Sequence, residues 1–273
     1  MPQLPPRLDS RYGGRPPDVA HFPSNEILDH LMGHRSVRAY LAKPVPEGCL
    51  EAVVAAAQSA STSSNLQVWS VVAVEDAERK AKLCYLSGNQ AHVRDAPLFL
   101  VWLADLARID AVARSRGEVA EGLEFLEALM VGVIDAALAA QNAAVAIESM
   151  GLSTVYIGGI RNKPEEVARE LALPRGVFPV FGMCVGYEDP VRPAAIKPRL
   201  AQAAVLHREQ YRLEVQVEEA RAYDAVLADF WAGEGMYPPA WTRTIVNRLK
   251  SPGSLHGRER LVEALRNLGF LLR

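Results

Sequence analysis

Only three cysteines occur in 273 residues, Cys49, Cys84 and Cys184, far apart among apolar neighbours and without a Cys-x-x-Cys pair. Neither a disulfide framework nor a thiolate zinc site is indicated, and buried, reduced thiols in a cytoplasmic protein are the plain reading. An excess of one charge is missing too: 30 Lys and Arg stand against 32 Asp and Glu, with no polybasic block. Bulk attraction to nucleic acid or to an anionic membrane is therefore not expected. The longest apolar stretch, Ala128 to Ile147, carries Asp135 near its middle, which argues against a membrane-spanning helix. The Pro- and Arg-rich leading residues lack the apolar core of a secretory signal. There is no Gly-x-Gly-x-x-Gly after a strand, no Walker A loop and no Gly-x-Ser-x-Gly elbow. A Rossmann unit, a P-loop and a hydrolase elbow are thereby set aside. His30 and His34 have the spacing of a helical metal pair, but Gly33 lies between them and no third ligand is evident, so no metal is expected.

What is present is ample apolar sequence, 49% of residues, enough for a large core. Residues 1–23 hold six prolines and read as an extended or disordered extension. A helix opens after Pro23, with Ser24 as its cap and Ile27, Leu28 and Leu31 on one face. Further helices are predicted over 47–59, 77–86, 122–150, 163–171, 215–231 and 258–268. Strands are predicted over 69–74, 97–105, 153–157 and 177–187, with a short one at 270–272. Strands separated by helices give an α/β or α+β class with a mixed sheet.

Four loop stretches interrupt these elements. His34-Arg35-Ser36-Val37-Arg38 places two guanidinium groups three positions apart, a small anion-binding set. Ser61 to Gln67 is a polar run with no periodic pattern, Tyr156-Ile157-Gly158-Gly159 ends a strand in glycine, and Lys197-Pro198-Arg199 adds cations. Together they offer cations for a phosphate, hydroxyls and amides for a polar heterocycle, and glycine backbone for close approach to a flat ring. An elongated phosphorylated ligand fits that inventory better than four unrelated loops.

These motifs, with Gly88-Asn89-Gln90, His92, Gln141-Asn142 and Gly151-Leu152, resemble the nitroreductase family of FMN-dependent oxidoreductases, within it the oxygen-insensitive major nitroreductase and flavin reductase branch. The likeness runs from about Asn25 to Leu206 and more loosely to the end. The resemblance implies an α+β nitroreductase-like fold over 24–273, a central mixed sheet flanked by helices, and an intertwined homodimer. The 122–150 helix would form much of the interface, and 207–257 would be a helical excursion near the site. It implies bound, non-covalent FMN, with NADPH or NADH as a transient co-substrate. Arg35, Arg38, Lys197 and Arg199 would surround the phosphate and ribityl chain, helped by His34, Ser36 and Val37. Thr62, Ser63 and Ser64 would approach from the partner subunit. Gln90 would meet the pyrimidine end, and Tyr156, Ile157, Gly158 and Gly159 would run beside the ring, a glycine N–H aimed at N5. No side chain need act as a nucleophile. The implied reaction is ping-pong hydride transfer through flavin N5 to nitroaromatics, quinones or free flavin. Reductive dehalogenation on the same fold, or a flavin-binding sensor without turnover, remain alternatives. One departure stands out. The Ala232–Pro239 segment, where this branch carries cations for the NADPH 2′-phosphate, has none and includes Glu234. A weakened NADPH preference is expected, with NADH serving as well.

Overall fold

The computed structural model describes residues 6–17 and 22–273. Its β-branched and aromatic runs form four strands, β1 (Trp69–Val74), β2 (Leu98–Asp105), β3 (Ser153–Ile157) and β4 (Val177–Gly186), in the order β1-β2-β4-β3. Where the sequence predicts a mixed sheet, every neighbouring pair of these strands is antiparallel. Parallel pairing among the described residues is confined to the isolated bridge between Ser36 and Thr154. Helices between consecutive strands set the length of the connection but not the direction in which the chain returns.

The helices are α1 (Pro6–Tyr12), α2 (Glu26–Met32), α3 (Cys49–Gln58), α4 (Ala77–Leu86), α5 (Ala91–Asp95), α6 (Ala107–Ser115), α7 (Leu126–Ser149), α8 (Pro164–Glu170), α9 (Leu213–Gly233), α10 (Trp241–Leu249) and α11 (Leu261–Asn267). Residues 6–12 are thus helical, not extended, while residues 1–5 and 18–21 of the Pro-rich segment lie outside the described residues. Asn25, one residue later than predicted, caps α2 by accepting from the Leu28 N–H at 2.9 Å. Phe270 to Leu272 is not a strand: Phe270 is buried, and the Arg273 N–H donates to the Glu124 carbonyl.

Two compact units divide the chain, one made of Met1–Arg35 with Ala195–Leu255, the other of Ser36–Ala194 with His256–Arg273. The second holds the sheet. Strand alternation sends Phe99, Val101 and Leu103 toward Leu83, Leu86, Val93 and Val167, in one apolar cluster with α4, α5 and α8. Leu98, Leu100 and Trp102 join α3 and the Ala139, Ala140, Ala143, Ala144 and Ile147 face of α7 in another. Small residues bring α7 close to the sheet; a Cβ on Gly132 would lie 3.0 Å from that of Ala104. In the first unit, Tyr223, Val226 and Leu227 of α9 form a core with Leu200, Phe230, Trp231 and Trp241.

Candidate functional site

β3 is an edge strand, so its outer side has backbone groups to offer. The Val37 N–H takes one, donating to the Thr154 carbonyl at 3.0 Å, and the Tyr40 hydroxyl donates to the Val37 carbonyl at 2.8 Å. Val37 is wholly buried. Its side chain therefore anchors the motif in the core, between half-buried Ser36 and exposed Arg38. Arg38 is exposed, its Nη1 donating to the Ser36 carbonyl at 3.3 Å.

At the far end of β3 the chain enters the 3-10 turn Gly158–Asn162. A Cβ on Gly159 would lie 2.2 Å from the Ser87 carbonyl oxygen and 2.7 Å from Gln90 Nε2. Only glycine permits that approach. It brings Gln90 and the Gly158-Gly159 pair together, and the Gln90 amide is itself held by donation to Ser87 O at 2.9 Å. At Gly158 the nearest atoms to a Cβ would be 3.4 Å away, an ordinary contact, so packing within the chain does not demand glycine there. Tyr156 is half-buried, stacked edge-on against Phe181 at 5.2 Å, with its hydroxyl 3.4 Å from Gln141 Oε1. Burial pushes its phenol pKa up. Ile157 points into the core. The His92 Nε2 is buried without a hydrogen-bond partner among the described residues, and burial followed by the Arg38 charge lowers the imidazole pKa.

Thr62, Ser63 and Ser64 lie at the other edge, in the loop before β1. Two strands separate that edge from β3, roughly 14 Å at the usual strand spacing. The loop is held by a residue the sequence marked only as the lone charge in an apolar run. Asp135 of α7, 2% exposed, accepts from the Thr62 hydroxyl, from the Ser63 N–H at 3.2 Å and from the Val68 N–H at 3.2 Å. Within the loop Ser64, Asn65 and Gln67 have φ of 48°, 55° and 51°, conformations that non-glycine residues rarely hold without such support.

His34, Arg35, Lys197 and Arg199 belong to the first unit. Sequence reasoning missed what joins their two segments. The Arg11 guanidinium donates to the carbonyls of Met32 at 2.8 Å, His34 at 2.6 Å and Lys197 at 3.1 Å. The Arg199 N–H donates back to the Arg11 carbonyl at 2.9 Å. Tyr223 fixes the same loop from α9, its hydroxyl 2.7 Å from the Pro198 carbonyl, and the Lys197 ammonium sits 4.4 Å above the Trp231 ring. Among the described residues no group of His, Cys, Asp and Glu could hold a metal ion.

Comparison with known proteins gives matches over most of the chain. A model described as Nitroreductase family matches residues 31–187, and one described as Nitroreductase family, C-terminal domain, matches residues 197–273. The FMN reductase (NADPH) of Bacillus subtilis is 39% identical over 233 residues, 83% of this chain and 92% of that protein. The oxygen-insensitive NADPH nitroreductase of Salmonella typhimurium is 40% identical over 208 residues, 76% of this chain and 83% of that protein. The solved structure of B. megaterium NfrA2 superposes with a TM-score of 0.85 at 37% identity, covering 92% of this chain and all of that one (100%).

Proposed function

The chain belongs to the nitroreductase family, and on that premise we propose that it is an FMN-dependent NAD(P)H oxidoreductase that reduces nitroaromatics, quinones or free flavin. The observation that carries this is the convergence at β3, where Ser36 and Arg38 flank one end and Gln90 meets Gly158-Gly159 at the other. The residues fit the cofactor. By the family resemblance, Arg35, Arg38, Lys197 and Arg199 would hold the phosphate, with His34 and Ser36 adding hydrogen bonds. Gln90 would bind the pyrimidine edge, and the Gly158-Gly159 backbone would run beside the ring. When bound, FMN would supply two-electron hydride chemistry between NADPH or NADH and the acceptor, in ping-pong order. The chain orients and shields; a glycine N–H at 158 or 159 is a preorganised donor for charge developing on the ring.

The proposal includes a homodimer with shared sites. Thr62–Ser64 sit at the edge opposite β3, so a second copy would bring them to the flavin. Leu126, Met130, Ile134 and Leu138, one helical turn apart on α7, are 43–51% exposed, a stripe suited to such an interface. Glu234 caps the end of α9 with no cation in its segment, which supports use of NADH beside NADPH. A cytoplasmic location accords with three free, buried cysteines.

The absorption spectrum of the purified protein, with cofactor identification after heat release, tests the reading. Bound FMN that bleaches on anaerobic addition of NADPH or NADH is expected. A colourless protein, bound FAD, or flavin that stays yellow with both nucleotides would refute it. A large kcat/KM advantage for NADPH would remove the NADH part alone.

A further inference from the structure

Arg161, in the Gly158–Asn162 turn, is a half-buried cation that the proposed cofactor site does not use. Its Nη1 donates to the Val180 carbonyl, and no carboxylate pairs with it among the described residues. Burial lowers its pKa. A guanidinium held out of water without a counter-charge is unfavourable unless an anion completes it.

A second cation arrives from the distant C-terminal segment. Gly257 turns there with φ +92°, and a Cβ on it would come within 2.8 Å of the Asn162 carbonyl oxygen. That close turn delivers Arg258, whose Nε donates to Asn162 Oδ1 at 2.8 Å. The two guanidinium groups face one point. A Cβ on Gly158 would lie 3.4 Å from Arg161 Nη2 and 3.8 Å from Arg258 Nη1. Two like charges converging on the Cβ side of Gly158 favour a negatively charged group between them.

We infer that Arg161 and Arg258 form an anion-reading subsite beside Gly158 that selects electron acceptors bearing a carboxylate or oxyanion over neutral ones of the same shape. The inference rests on the flavin reading, which sets Gly158 beside the ring. The planar fork of each guanidinium matches the two oxygens of a carboxylate, which a neutral amide cannot satisfy at both.

The test compares 4-nitrobenzoate with 4-nitrobenzamide as acceptors for the flavin-loaded protein and for Arg161→Gln. The parent should prefer the carboxylate, and the variant should lose about tenfold of that preference, chiefly through KM, as expected for one charge-assisted hydrogen bond. Arg161→Lys should restore part of it. Because Arg161 also holds the Val180 carbonyl, Arg258→Gln serves as a second variant that leaves that bond intact, with the same expected shift. An unchanged carboxylate-to-amide ratio in both Gln variants overturns the inference. So does slower anaerobic flavin bleaching by NADPH with the ratio unmoved, which would assign the guanidinium groups to a nucleotide phosphate. A parent without flavin, visible in its spectrum before any acceptor is added, refutes the cofactor reading and this subsite with it.

Discussion

The two edges of the sheet carry turns that are fixed by opposite means. At the β3 edge the constraint is shape: Gly159 lies so close to Ser87 and Gln90 that no side chain fits. At the β1 edge the constraint is one charge: a buried carboxylate gathers three donors from a loop with three left-handed residues. Shape fixes a position without regard to protonation or ionic strength. A carboxylate does so only while its donors stay paired. The β3 edge should therefore tolerate chemical change and resist added volume, and the β1 edge the reverse.

The largest effect is expected from Asp135→Leu. It keeps the branching at Cγ but strands the Thr62 hydroxyl and the Ser63 and Val68 N–H groups, at a cost of about 4 kcal/mol. Urea unfolding measures it; a loss below about 1 kcal/mol would mean that the β1 loop holds itself. Gly159→Ala comes next, about 3 kcal/mol, because backbone must move to admit the methyl group. Gly158→Ala sharpens the contrast: stability within about 1 kcal/mol of the parent, since the added methyl meets only ordinary contacts, but weaker flavin retention. Equal destabilisation by the two alanines would end the distinction between a glycine required by packing and one left open.

Smaller in stability, though large in binding, are Arg38→Ala beside the β3 edge and Arg35→Ala in the other unit. Each should raise the FMN dissociation constant by about tenfold or more, the value of a charge-assisted hydrogen bond, and leave unfolding unchanged. Ultrafiltration of the diluted protein decides it, and parent-like retention removes that arginine from the phosphate site. The smallest effect is a pH slope. Burial and the Arg38 charge hold His92 below its ordinary 6.5, so the unfolded chain takes up the proton first as pH falls. Stability should be full above about pH 6.5 and decline below it. His92→Gln should remove that part of the acid slope; an identical slope in the variant would show that His92 does not contribute.

Much of the sheet was readable because buried strands such as 98–105 are continuous apolar runs, and alternation assigns their two faces. Ser153–Ile157 was predicted with its observed limits. Strand direction was not readable, since nothing in an intervening helix encodes it. Helices α1, α5, α6 and α10 went unseen because they are short, nine residues or fewer. Of the proposed site, the glycine pair and the paired cations are what the sequence makes visible. Asp135 was visible as an anomaly, but its partners lie far away in the chain. Arg161 and Arg258 needed the fold to meet at Gly158. Arg11 left no signal, because its three acceptors are all backbone carbonyls.

That last contact changes how the leading segment should be handled. A protease nick in α1, a misassigned start codon or a trimmed expression clone would remove the brace between the 32–34 and 197–199 segments while leaving every predicted cofactor residue in place. Such a preparation would be pale and easily mistaken for a poor flavin binder. Library design and tag placement should preserve Arg11 as the brace behind the proposed cofactor residues.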